Sequence, residues 1–145
     1  MASRSLSNCG SEVRAHDHDR FLTVLFAPSE CREALFALYA FNIEVAKIRE
    51  TVTEPMLGQI RLQWWREAID DAYRGDLRSH AVVQSLGAVI EQSHLSRHYF
   101  DRLFDARERD LEDSPPETME ALEDYAEATS ATLGWLALEI LSASA

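Results

Sequence analysis

The side chains best placed to do chemistry in this chain are acids and histidines, and the chemistry they suggest is holding a cation. His16-Asp17-His18-Asp19 sets four ligand-type groups in a row, and side chains two apart converge in an extended segment. Zinc there would need further ligands, which the neighbouring sequence does not supply, so a solvated polar lead-in is the plainer reading. Cys9 and Cys31 have neither a Cys-x-x-Cys spacing nor a histidine partner and read as inert thiols. From Asp105 to Glu127 ten acids stand against two arginines. On a helix, Glu108/Glu112, Glu120/Asp124 and Glu123/Glu127 are four apart. Paired carboxylates so spaced can hold Mg²⁺ against a diphosphate, because Mg²⁺ prefers one or two carboxylates plus phosphate oxygens. The same pairs equally describe a solvated helix face.

The elements that must carry these groups are helical throughout. Apolar residues recur at helical spacing, and no strand-type alternation is found. Pro28-Ser29 opens a first helix, with Ser29 as N-cap, that runs to about Thr51 on Leu35, Leu38, Tyr39, Val45, Ala46 and Ile48. Pro55 restarts the chain, and a second helix carries Ile60, Trp64, Ala68 and Ala72 inward until Gly75 ends it. A third covers about His80 to Gln92 and a fourth about Ser96 to Leu111. The two prolines of Ser114–Thr118 force a turn. A fifth runs from about Met119 to Leu141, with Ser130 as the place for a kink. Trp64, Trp65 and Trp135 read as core aromatics. The first helix contains no two carboxylates four apart, so it lacks the ligands for a Mg²⁺ site of its own.

The arithmetic narrows the function classes. A chain of 145 residues is about the size of one domain, and we place a disordered tail at 1–16 and a single helical domain at 17–145. The formal net charge of −11 disfavours nucleic-acid and anionic-membrane binding, which both need a surplus of Lys and Arg. Two cysteines are too few for a disulfide scaffold, so a reducing compartment is expected. The first twenty residues carry no apolar core of a secretory signal. The longest apolar stretch, Leu133 to Leu141, is interrupted by Glu139 and falls far short of the ~20 residues that span a bilayer. That stretch is nonetheless apolar nearly all round. It is expected to be buried by neighbouring helices, by a partner chain, or by the rest of a longer fold.

These segments, taken in order, resemble a known family. LFALYAFNIEVAKIRE (Leu35 to Glu50), IRLQWW with REAIDDAYRG, ARERDL, and LEDYAEATSATLGWLALEIL are together similar to the head of the squalene/phytoene synthase family. The resemblance covers about Asp17 to Leu141 and about the first half of the family's usual length. It implies an all-α bundle of the isoprenoid-synthase type, about five helices of it present here. It also implies a family chemistry in which two prenyl diphosphates are joined head-to-head while aspartate-rich helices hold Mg²⁺. In the family's first motif a tyrosine precedes a cysteine-arginine stretch and then two aspartates four apart. Laid on this chain, the tyrosine is Tyr39, the arginine position is Ile43, and the aspartate positions are Ala46 and Glu50. The arginine and one metal ligand are thus missing, which leaves Tyr39 as the substrate-binding candidate and Glu50 as the lone metal candidate. Ser130-Ala131-Thr132-Leu133-Gly134 partly matches a second family segment.

AFNIEVA and the helix after it more closely resemble a non-catalytic branch that includes the mitochondrial assembly factor for respiratory complex I and its bacterial relatives. That resemblance implies a scaffold with no cofactor, a protein partner or the C-terminal half of the fold as companion, and a prenyl diphosphate or lipid-like molecule as any ligand. Its place would be the bacterial cytoplasm, or the mitochondrion in a eukaryote. The competing expectation is a Mg²⁺-dependent prenyltransferase using Glu50 with acids from the Asp105 to Glu127 region. An inert remnant is the third.

Overall fold

The computed structural model describes residues 5–144, and every described element is helical. In chain order these are α1 (Asn8–His16), α2 (His18–Leu25), α3 (Ser29–Ala46), α4 (Ile48–Thr51), α5 (Pro55–Tyr73), α6 (Ala81–Ser93), α7 (Arg97–Asp110) and α8 (Met119–Ala126). A π-helical segment, Glu127–Ala131, then passes directly into α9 (Thr132–Ala143). Helix α3 is the axis of the molecule, packed against α1, α2, α6, α7 and α9.

The five expected helical segments are all present. The first is interrupted at Lys47, whose conformation (φ −81°, ψ −2°) ends α3 one residue before α4 begins. Ser29 is the first helical residue, not the cap, a position that falls to Pro28. Gly75 closes α5 as expected, at φ 82°, with its own amide on the Ala72 carbonyl and the Asp76 amide on the Asp71 carbonyl. This paired arrangement satisfies carbonyls that the helix end would leave orphaned, and the positive φ suits a residue without Cβ. The kink expected near Ser130 is the π-helical segment, where Thr132 Oγ1 donates to the Glu127 carbonyl at 3.2 Å.

The N-terminal stretch differs from expectation. Asn8–His16, inside the stretch 1–16 expected to be a disordered tail, is a helix, while residues 1–4 and Ala145 lie outside the described residues. Ser7 caps it by accepting the Gly10 amide at 3.0 Å, and Cys9, Gly10 and Val13 are buried against the rest of the fold. Small residues do this burying, and they leave almost no apolar stripe in the sequence. Asp17 then caps α2 and pairs with Arg20 at 2.7 Å.

The core is densest around Phe41. Its ring meets Trp65, Phe100 and Phe104 edge-on at centroid distances of 5.5, 5.5 and 5.8 Å. Such edge-to-face contacts add to area burial because the positive ring edge meets the negative face. Trp65 is therefore core, whereas Trp135 is 53% exposed and Ile60 is 60% exposed, both against expectation.

Candidate binding face on helix α3

The positions that the family motif singles out fall on one stripe of α3 and its continuation. Tyr39, Ile43 and Ala46 recur at intervals of three or four, the spacing that aligns side chains along one helix face, and Leu35 precedes them in the same register. Glu50 continues the register beyond the break at Lys47 but lies exposed on the four-residue helix α4. Ile43 is buried, and Ala46 is the last residue of α3. Lys47 pairs with Glu44 at 3.1 Å.

A Mg²⁺ site does not fit this stripe. Ile43 and Ala46 have no ligand atoms, and Glu50 is a single exposed carboxylate beyond a change of helix. One carboxylate is a poor substitute for the pair that Mg²⁺ and a diphosphate require. The ten acids of the Asp105 to Glu127 region do not supply the remainder. Asp105 and Glu108 are both held by Arg66, at 2.8 and 3.2 Å, and Glu127 lies 3.7 Å from Arg102. Among the described residues no group of three or more His, Cys, Asp or Glu side chains is placed to hold a metal ion. The His16 to Asp19 run is divided between two helices, with His16 reaching Glu12 at 3.7 Å and Asp17 committed to Arg20.

What the stripe does line is apolar. Leu35 and Tyr39 line a groove of about 360 Å³ together with Val24, Phe26, Ala137 and Leu141. The Arg20 guanidinium lies 5.7 Å above the Tyr39 ring, an arrangement favoured by the negative ring face. Burial pushes the Tyr39 hydroxyl above its ordinary range. The groove residues on α2 were not anticipated, because Phe21 to Phe26 is apolar on both faces and offers no clear stripe. A larger cleft of about 520 Å³ opens between Arg49, Asp110, Asp113, Pro115 and Tyr125. Several of its charges are paired: Arg49 meets Asp113 at 3.3 Å, and Arg107 meets Asp110 at 3.1 Å and the Tyr125 hydroxyl at 3.3 Å.

The apolar stretch of α9 has a buried side and an open one. Leu133, Leu136, Ala137 and Ile140 are buried, and Trp135 and Leu138 are exposed. Glu139, the acid that interrupts the stretch, accepts from the Ser96 amide at 2.9 Å and the Ser96 hydroxyl at 2.5 Å. It therefore sits at the N-terminus of α7, where a carboxylate satisfies an orphaned amide and the positive end of the helix dipole. Cys9 and Cys31 are buried free thiols, and burial pushes Cys9 above the ordinary thiol range.

Comparison with known proteins adds the family. The squalene/phytoene synthase family model matches residues 13–145. The chain is 34% identical over 133 residues to the Mus musculus NADH dehydrogenase (ubiquinone) complex I, assembly factor 6, covering 92% of this chain and 40% of that one. A Drosophila melanogaster homolog of that assembly factor is 34% identical over 143 residues, with 92% and 41% covered. The Dictyostelium discoideum homolog is 27% identical over 128 residues, with 88% and 36% covered. The chain thus spans about 40% of the length of the first two of these relatives. Among solved structures, a dehydrosqualene synthase in complex with ligand superposes with a TM-score of 0.79 at 19% identity, over 91% of this chain and 45% of that one. The helical architecture and the match across residues 13–145 agree, and this chain belongs to the squalene/phytoene synthase family.

Proposed function

We propose that this chain is a catalytically silent member of its family that works as an assembly-type factor for respiratory complex I, through contacts with protein. The observation that carries the proposal is the motif register of α3 and its continuation in α4, where the only carboxylate is the exposed Glu50 and the preceding positions are Ile43 and Ala46. A stripe of that kind offers apolar contact in place of metal-assisted ionisation of a diphosphate. The names of the relatives from mouse and fly point to the same role. The reading requires no cofactor. It places the protein in the cytoplasm of a bacterium or in the mitochondrion of a eukaryote.

The test is a deletion in the native host, complemented with the parent gene and with Glu50→Ala. Assembled complex I is scored on native gels, and purified protein is assayed with farnesyl and geranylgeranyl diphosphate plus Mg²⁺. The proposal expects complex I to fall on deletion, to return with both genes, and no prenyl product. Unchanged complex I on deletion, or Mg²⁺-dependent product that Glu50→Ala abolishes, would overturn it.

A further inference from the structure

We propose that the cleft beside helix α8 and the turn before it is the docking surface for a basic, amphipathic segment of a partner protein. Among the described α-helices, α8 is the one with no buried residue, and it packs most closely on the π-helical segment that continues it. Its start is fixed by Thr118, whose hydroxyl accepts the Ala121 amide at 3.0 Å, and its end by the passage towards α9. So short a helix has little stability of its own in water, and an apolar face left open on it is what a partner covers. That face is Met119, Leu122 and Tyr125, spaced by three. Met119 is 69% exposed and Leu122 46%. Leu122 and Tyr125 also line the cleft of about 520 Å³, together with Pro115 and Pro116.

The charge around the cleft selects the occupant. Residues 112–124 hold six acids and no Lys, Arg or His. All six are exposed, and only Asp113 has an ion-pair partner among the described residues. Glu112, Glu117, Glu120, Glu123 and Asp124 are left to solvent. Two arginines, Arg49 and Arg109, line the cleft against them, and Arg49 is the partner of Asp113. The local balance is therefore negative around an apolar floor. A segment with Lys or Arg on one face and apolar side chains on the other meets both, and an amphipathic helix laid in a groove is a recurrent recognition mode. Membrane and nucleic-acid phosphates are repelled by the same acids, and a second copy of this chain brings a further −11. The inference deepens the assembly-type reading, on which it rests for the partner being a protein.

The probe is a labelled synthetic helix of Lys and Leu, with a Glu and Leu counterpart, titrated with the folded chain and followed by fluorescence anisotropy. The Lys peptide is expected to bind 1:1 and the Glu peptide not to bind. Affinity should fall about tenfold in the triple variant Glu120→Gln, Glu123→Gln, Asp124→Asn and in Leu122→Ser. It should hold in Glu33→Gln, Glu54→Gln, Glu91→Gln, which removes the same charge from exposed positions elsewhere. Circular dichroism checks helicity; where Leu122→Ser lowers it, the triple variant, which alters only exposed acids, decides. In the native host the α8 triple variant should lower assembled complex I, and the control triple should restore it. Equal peptide affinity for parent and α8 triple variant, or an equal loss in the control, would overturn the proposal. Full rescue of complex I by the α8 triple variant would overturn it too and leave the assembly reading standing. Unchanged complex I on deletion sinks that reading instead, and the peptide titration then decides this one alone.

Discussion

The two sides of helix α3 have different fates. On one, Leu38, Phe41 and Val45 are buried, with Phe41 ringed by three aromatics of α5 and α7. On the other, two residues before Phe41, Tyr39 lines an open groove, and further along the same register the family motif's arginine position holds Ile43 and its first aspartate position holds Ala46. The sealed side carries the close packing that holds this bundle together. The open side is free of that role, so its chemistry can be lost while the bundle persists. Fold and function are therefore separable along a single helix here.

The largest effect should come from the sealed side. Phe41→Ala removes a ring from a close-packed site and should cost about 3–5 kcal/mol, read as a lowered urea midpoint. Tyr39→Ala, on the open side, should cost clearly less. If the two substitutions were equally damaging, the contrast between the sides would collapse.

Next in size is the bond that ties α9 to the start of α7. Glu139→Ala removes the acceptor for both the Ser96 amide and hydroxyl and should cost about 1–2 kcal/mol. Glu139→Gln should recover part of that, since an amide oxygen still accepts. Amide exchange at the start of α7 is the local readout, and unchanged protection there would show that the carboxylate does not cap the helix.

Alkaline pH should expose a smaller effect. Burial is the first cause that raises Tyr39, Tyr73 and Tyr125 above their ordinary value of 10.0. The folded state keeps these protons when the unfolded chain has lost them. Stability is therefore fully present below that value and declines as pH rises above it toward the folded values. Tyr73, whose hydroxyl donates to the Leu95 carbonyl at 2.6 Å, carries the largest shift. Tyr73→Phe should lower stability at neutral pH and flatten the decline above pH ~10. A decline as steep as the parent's would assign it to other groups. The smallest effect belongs to Glu50→Ala, within about 0.5 kcal/mol of the parent, because the residue is exposed on a short helix.

Much of the architecture was legible because punctuation and periodicity agreed. Pro55 starts α5, Gly75 ends it, and the five apolar stripes sit where helices are found. Helices α1 and α2 were not legible. Cys9, Gly10 and Val13 bury too little apolar bulk to mark a face, and the run from Phe21 to Phe26 marks both faces at once. Ile60 and Trp135 were placed inside because their spacing fits a stripe, yet which neighbour covers a stripe is a tertiary matter. Glu139 looked like a flaw in an apolar helix, and only the fold brings it to Ser96, 43 residues away in sequence. The degenerate motif was readable in the sequence, since missing ligand atoms need no structure to be noticed. The groove was not readable, because it is shared by three helices.

The central claim is that the motif stripe of α3 has given up metal and diphosphate. It is tested most directly by titrating the folded chain with Mg²⁺ and a non-hydrolysable prenyl thiodiphosphate, followed by tryptophan fluorescence and calorimetry. Helicity is checked first on the same sample. The account predicts no saturable response that depends on Mg²⁺. Saturable, Mg²⁺-dependent binding weakened by Glu50→Ala would contradict it and return the chain to the enzymes of its family.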